Sequence, residues 1–344
     1  MKLPDVKKYL QTNKLDAVVL FNKDPNFNYF LRGDFEHGIM FLTRKSNYLF
    51  LSLLYKPQIK GFRVVQWKKN FKEEFKAFVK KHKIRRVGID NSELLVRQKS
   101  FLRKHFKTKD VSKFLEYLRQ SKTKEELARI RKACRIADSI FKKIITNFKF
   151  KTENDVVKFM KLEALKADAE LSFEPIVANA SNAVVAHHES SSRLKKGFLI
   201  LDFGIKYNGY LSDMTRTIYV GRPNRNEIEV YEKVRLINEK CIEKAKIGMI
   251  AEKLYNYSLD LFGRDVRYFI HGLGHGIGVR IHEKPSLAIK SKDKLVKGSV
   301  FTIEPGYYNP KTGVGIRIED DVYLGDRKAV LTKSTRSLVC VKMK

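Results

Sequence analysis

The chain has 344 residues, 43% hydrophobic and 11% aromatic, and its 70 Lys and Arg against 38 Asp and Glu give a net charge of +32. This composition excludes a wholly disordered chain, no apolar run reaches the ~18 residues of a membrane helix, and Cys134, Cys241 and Cys340 are too scattered for a disulfide framework or a zinc CxxC pair. The start, MKLPDVKKYL, lacks the apolar stretch of a secretory signal, so the expectation is a reduced, cytoplasmic, globular protein of about two domains.

In chain order, residues 1–118 read as a small α/β domain. LDAVVLF (15–21) and RRVGID (85–90) suit buried strands, and GIMFLT (38–43) and NYLFLS (47–52) flank a short polar turn as a hairpin. Phe71, Phe75, Phe78 and Val79 fall at helical spacing. Near residue 121 the texture changes. Thr123 and Glu126 form a capping box. Leu127, Ile130, Cys134, Ala137, Phe141 and Ile144 then mark one long amphipathic helix, with Cys134 on its buried face. The domain boundary is placed at 118/119.

The remainder has an internal rhythm. Helices expected at about 123–146 and 152–168 precede a strand-rich segment at 198–220, and helices at about 226–247 and 250–262 precede another at 298–324. Two helix–helix–hairpin units are expected. Cys241 shares an apolar helix face with Val230, Val234 and Ile237 and reads as packing.

The chemistry concentrates in these segments. Asn208-Gly209 signals a two-residue hairpin turn. That turn pairs Asp202 with Thr215 and makes Asp202 and Asp213 diagonal neighbours on one face. Two carboxylates on apolar strands must share a proton, pair with cations such as Arg216, or bind metal. Glu304 and Glu319 lie symmetrically about Lys311-Thr312 in the second segment and make another such pair if they form a hairpin, with Asp320 on the opposite face. Between them, HGLGHGIGVRIHE alternates glycines, which lets another backbone approach closely, and holds His271, His275 and His282, three of only eight histidines. Its spacing is not that of a dinucleotide-binding loop. His187-His188 precede the first hairpin, where either imidazole could face a substrate.

The blocks LDFG, SDMTRT, HGLGHGIG with HE, IEPG and GIRIED resemble the pita-bread metallopeptidases, over about 120–340 and in the family's order. Residues 1–118 resemble the creatinase-type amino-terminal domain through NYFLRG. The resemblance implies an α+β fold: a pita-bread catalytic domain at 119–344 behind a smaller α/β domain at 1–118. It implies two divalent metal ions (Mn, Co, Zn or Fe) held by Asp202, Asp213, His275, Glu304 and Glu319. Asp213 and Glu319 would bridge, Glu304 would also shuttle protons, and a hydroxide shared by the metals would attack the peptide carbonyl. Further matches are His187, His271 and His282 around the scissile bond, and Arg317 and Tyr308 beside the substrate. The implied activity is hydrolysis of the bond preceding proline, as an Xaa-Pro dipeptidase and homodimer acting on proline-containing peptides. The alternatives are an Xaa-Pro aminopeptidase on longer peptides, a non-catalytic RNA- or partner-binding member of the fold, and a metal-free C–N hydrolase like creatinase.

The charge stands apart from this reading. Residues 1–120 hold 28 of the 70 cations but only 11 of the 38 acids, densest at Lys80–Arg86 and Arg103–Lys109. Either a solvated surface or a nucleic-acid partner accommodates it.

Overall fold

The computed structural model describes residues 2–31, 38–55, 58–68 and 70–342. The chain divides into two compact units, Met1–Leu118 and Arg119–Lys344. The end of the NYFLRG segment, at Arg32-Gly33, lies outside the described residues.

The first unit contains α1 (Leu3–Thr12), β1 (Ala17–Phe21), α2 (Pro25–Leu31), β2 (Gly38–Thr43), β3 (Asn47–Ser52), β4 (Phe62–Trp67), α3 (Phe71–Lys81), β5 (Arg86–Ile89), α4 (Val96–His105), β6 (Lys107–Asp110) and α5 (Ser112–Gln120), within whose span the unit boundary falls. Its six strands form one sheet in the order β4-β3-β2-β1-β5-β6. β1, β5 and β6 run parallel, and β2 runs antiparallel to both β1 and β3. β1, β2 and β3 are buried almost throughout, which is why they read as unbroken apolar runs. Phe75 and Phe78 of α3 pack on Phe41 and Phe50 of the sheet. The short strands β4 and β6 are half-exposed or polar edges that periodicity does not reveal.

The second unit begins with α6 (Lys124–Thr146), whose capping box is formed as expected: Glu126 N–H donates to Thr123 Oγ1 and Thr123 N–H to Glu126. There follow α7 (Glu153–Lys166), β7 (Glu170–Leu171), β8 (Ile176–Asn179), β9 (Gly197–Phe203), β10 (Ile205–Tyr207), β11 (Tyr210–Leu211) and β12 (Met214–Val220). The second half repeats the scheme with α8 (Arg225–Lys244), α9 (Ala251–Phe262), β13 (Gly274–Gly276), β14 (Glu283–Leu287), β15 (Ser299–Ile303), β16 (Gly306–Asn309), β17 (Val314–Arg317) and β18 (Asp320–Leu324), closed by β19 (Lys328–Val330) and β20 (Cys340–Val341).

Each half packs a helix pair on its own sheet. Ile140, Ile144, Val156 and Met160 of α6 and α7 meet Leu199, Leu201 and Ile218 of the β20-β12-β9-β8 sheet. Val234, Ile237, Cys241 and Leu254 of α8 and α9 meet Phe301, Ile303 and Val322 of the β14-β13-β15-β18-β19 sheet. In both halves a long hairpin ladder is interrupted and then resumes as a short ribbon. β9 and β12 pair up to Phe203↔Met214 before β10 and β11 resume at Lys206↔Leu211. β15 and β18 pair up to Ile303↔Asp320 before β16 and β17 resume at Gly306↔Arg317. Residues at the interruptions are released from the ladders, and three of them, Asp213, Glu304 and Glu319, line one cavity.

Candidate metal centre

Asp202 lies on β9 opposite Thr215, and Asp213 occupies the interruption just before β12. Gly204 makes that crossing possible, because a Cβ there would sit 1.9 Å from the carbonyl oxygen of Ser212. Glu304 follows β15, and Glu319 lies between β17 and β18, so the second interruption supplies both. His275 is on β13, but the glycine-rich segment is not one continuous strand: His271 precedes β13 and His282 follows it in an irregular stretch. The backbone does come close, with a Cβ at Gly276 falling 2.1 Å from the carbonyl oxygen of Lys284.

All five side chains border a cavity of about 810 Å³, together with His187, His188, His271, His282 and Arg317. One ligand atom each from Asp213, His275 and Glu319 lies within 4.8 Å of the others. His275 Nε2 is 3.6 Å from Asp213 Oδ2 and 3.5 Å from Glu304 Oε1. Its Nδ1 is 3.1 Å from the carbonyl oxygen of Gly276, which can only accept; Nδ1 therefore carries the proton and Nε2 presents its lone pair to the acids. Thr302 Oγ1 accepts from His275 N–H and donates to Glu304, joining those two residues.

Asp202, Asp213 and Glu319 are 7%, 5% and 2% exposed, so their charges are held out of water. Among the protein's own groups, burial, then the nearby Asp202, Asp321 and Glu304, hold Asp213 well above the usual carboxylate range. Burial and then Asp213, Glu304 and Asp202 do the same to Glu319. Burial pushes Glu304 up to about 8, against the opposing charge of Arg317. Oδ1 of Asp202 and Oδ1 of Asp213 are buried without a hydrogen-bond partner. Unpartnered carboxylate oxygens beside an imidazole lone pair fit a divalent cation of borderline hardness.

The counter-cation is Arg317. Its Nη2 donates to Asp202 Oδ2 at 2.5 Å, its Nη1 to Tyr308 Oη at 2.5 Å and its Nε to Thr215 Oγ1 at 3.2 Å. Thr215 Oγ1 in turn donates to Glu319 Oε2 at 2.7 Å. Arg216, the partner expected for the aspartate pair, points to the other face of the strand and binds Asp320. Tyr308 Oη lies 2.9 Å from His271 Nε2, and His271 Nδ1 lies 2.8 Å from the carbonyl oxygen of Gly272. That carbonyl fixes the proton on Nδ1, so the Tyr308 hydroxyl donates to Nε2. Burial, then Arg317, lowers His271 to about 4, which keeps it neutral.

The two adjacent histidines differ. His188 Nε2 lies 2.9 Å from Glu153, a fully buried carboxylate that also accepts from the N–H groups of Asn179, Ser191 and Ser192. His187 is exposed to the cavity and makes no hydrogen bond among the described residues. His282 is exposed as well, its ring centroid 4.2 Å from that of His275. Asp321, Cys134 and Thr302 also belong to the site, although the motif blocks do not mark them. Asp321 is fully buried, accepts from Asp213 N–H and takes a hydrogen bond from the Cys134 thiol at 3.3 Å. The IEDD run contained that signal, because a second acid in a strand alternates back to the face of Glu319.

Residues 128–326 match the model of metallopeptidase family M24, and residues 2–121 match the creatinase/prolidase N-terminal domain. The chain is 39% identical to the Xaa-Pro dipeptidase of Pyrococcus furiosus over 251 residues, 71% of each chain. It is 32% identical to the Xaa-Pro dipeptidase of Pyrococcus horikoshii over 98% of each chain. Among solved structures, the Xaa-Pro dipeptidase from Bacillus anthracis superposes with a TM-score of 0.92 at 29% identity over 99% of each chain.

Proposed function

This chain belongs to metallopeptidase family M24, and on that premise we propose that it is an Xaa-Pro dipeptidase: a metal-dependent exopeptidase that hydrolyses the bond preceding proline. The observation that carries the reading is the cavity ringed by Asp202, Asp213, His275, Glu304 and Glu319, with the ligand atoms of Asp213, His275 and Glu319 within 4.8 Å of one another. We take the two compact units as its two domains.

Two divalent ions are the natural complement, since four carboxylates carry a charge of −4 and bury it at no Coulombic excess against +4. Asp202, Asp213, Glu319, Glu304 and His275 would hold them. Bound there, the ions would polarise the scissile carbonyl and acidify a water. The mostly oxygen donor set favours manganese, cobalt, iron or zinc over a thiolate-type zinc site.

The chain's own residues would do the rest. Glu304 would take a proton from the attacking water and return it to the departing prolyl nitrogen. His187 and His282 face the cavity, where each can donate to the substrate carbonyl as it gains negative charge. The Arg317–Tyr308–His271 relay would fix the orientation of Asp202 and hold His271 neutral, in one orientation and with its proton on Nδ1. The same family reading carries a homodimer and a cytoplasmic location. Among the described residues no helix is long and apolar enough to cross a membrane.

Metal-stripped protein is assayed with Xaa-Pro and Xaa-Pro-Yaa peptides, with Mn, Co, Zn and Fe restored separately. Turnover of Xaa-Pro alone, dependent on added ion, is expected. Comparable turnover of the tripeptides would make it an aminopeptidase, and ion-independent turnover would overturn the metal mechanism. Sedimentation velocity checks the dimer.

A further inference from the structure

The excess of basic residues is organised by the fold of unit Met1–Leu118. β1, β3, β4, β5 and β6 all begin at the same end of the sheet, where β2 finishes. Every connection reaching that end brings exposed cations. Lys14 lies between α1 and β1, and Arg44 and Lys45 form the β2–β3 turn. Lys60 and Arg63 bracket the entry to β4. Lys80, Lys81, Lys83 and Arg85 lead from α3 into β5, and Arg103, Lys104 and Lys107 lead from α4 into β6. Among the described residues none of these side chains forms an ion pair.

Acids are segregated from them. Asp24, Asp90 and Asp110 follow or end β1, β5 and β6, at the opposite end. Asp16 is the acid within the connections of the cationic end, and its Oδ2 is occupied by the N–H groups of Arg85 and Arg86 at 2.9 and 2.8 Å. Cations in the last turns of α3 and α4 complement the helix dipoles, but Arg44, Lys45, Lys60 and Arg63 belong to no helix. A second observation lies at the same end: a cavity of about 430 Å³ lined by Lys7, Lys45, Ser46, Asn47 and Arg63. The field is felt locally. His82 is lowered by burial and then by Lys81 and Arg63, and His105 by burial and then by Lys76 and Lys104.

We propose that this end of the amino-terminal sheet is a docking surface for the phosphate backbone of a double-stranded nucleic acid, bound without regard to sequence. Six strands at ~4.8 Å spacing make a row of cations about 24 Å long, matched to a linear polyanion carrying one charge per ~1.7 Å. Among the described residues, the stretches of these connections at the cationic end (12–16, 44–46, 58–63, 80–86 and 103–107) present no exposed large apolar or aromatic side chain. Stacking on unpaired bases and apolar insertion into a membrane therefore both lack their instrument. Leu53, Leu54, Leu95 and Val96, which are exposed, follow the far ends of β3 and β5.

The test is fluorescence anisotropy of the full chain with a 24-base-pair RNA duplex, a DNA duplex and a second, unrelated sequence, alongside phosphatidylserine vesicles. The duplexes should bind alike, with affinity falling linearly on a log–log salt plot. A Lys45→Glu, Arg63→Glu, Arg85→Glu variant should bind at least about tenfold weaker, with the salt slope smaller by about 0.9 per lost contact. The Gln counterparts should reproduce the loss without adding acids. A control with the same charge change in the other unit, Lys142→Glu, Lys149→Glu, Lys158→Glu, should bind like the parent, and all variants should keep parental peptidase turnover. Equal weakening in the control would make the effect one of diffuse net charge and overturn the proposal. So would absence of duplex binding at ~50 mM salt, or vesicles that bind more tightly than the duplexes and displace them.

Discussion

The backbone N–H of Asp213 donates to Oδ2 of Asp321 across 3.0 Å, joining residues 108 apart in sequence. Asp213 belongs to the first hairpin and Asp321 to the second, so this bond crosses the seam between the half-sites and sets Asp213 against Glu319. Where β12 leaves its ladder, Asp213 N–H needs a new acceptor, and Asp321 supplies it.

Asp321→Ala should accordingly weaken divalent-ion affinity about 10–100-fold, the range for outer-shell partners. Asp321→Asn, whose amide oxygen still accepts, should stay within a few-fold of the parent. Titration calorimetry with manganese on metal-stripped protein reads both, and parental affinity in the alanine variant would show that the bond does not position the ligand.

Glu304→Gln removes the proton shuttle while keeping the side chain's shape. Turnover should drop about 10²–10⁴-fold, the usual weight of a positioned acid–base group, with KM for Xaa-Pro little changed. Steady-state kinetics at saturating metal decides it; a variant retaining a tenth of parental kcat would assign the proton to another group.

Glu283 gives a pH signature separate from metal. It is buried between Arg119 at 3.1 Å and Lys122 at 3.2 Å. Burial works to raise its carboxyl, but Lys122 and Arg119 outweigh it and leave it below the usual value. A depressed folded-state value stabilises the protein above the unfolded value of ~4.5, and that contribution is lost as pH falls through the folded value. Glu283→Gln should cost about 3–5 kcal/mol near neutrality, with the gap to the parent narrowing below about pH 4.5. Urea melts between pH 3 and 7 measure it, and a gap independent of pH would mean that charge is not the cause.

Gly276→Ala places a Cβ 2.1 Å from the Lys284 carbonyl oxygen, a backbone atom that cannot swing aside. β13 and β14 must separate, which should cost on the order of 2–4 kcal/mol and displace His275. Thermal unfolding of the metal-free variant tests the first effect and its metal affinity the second; a parental melting temperature would show that the strands part freely.

Much of this was legible in the residues. Asn208-Gly209 dictates a two-residue turn, and the Asp202↔Thr215 register follows from it and is observed. The Glu304–Glu319 symmetry likewise matches the register of both β15–β18 and β16–β17. Apolar spacing located α6 and the burial of Cys134 and Cys241. Less was legible where signals are weak: β4 and β6 are partly exposed, and His271 is held by an irregular backbone that glycine alternation made look like a strand.

Turn chemistry and side-chain period act over a few residues, so the sequence by itself determined helix faces, hairpin registers and the kinds of group each hairpin carries. Pairings over a hundred residues depend on how the finished sheets pack. Only the tertiary structure decided that Arg317 rather than Arg216 holds Asp202, and that Asp321 with Cys134 stands behind Asp213. The same holds for the charge. Composition counted the cations, but the parallel arrangement of β1, β5 and β6 brought Lys14, Arg85 and Lys107, far apart along the chain, to one end of a sheet.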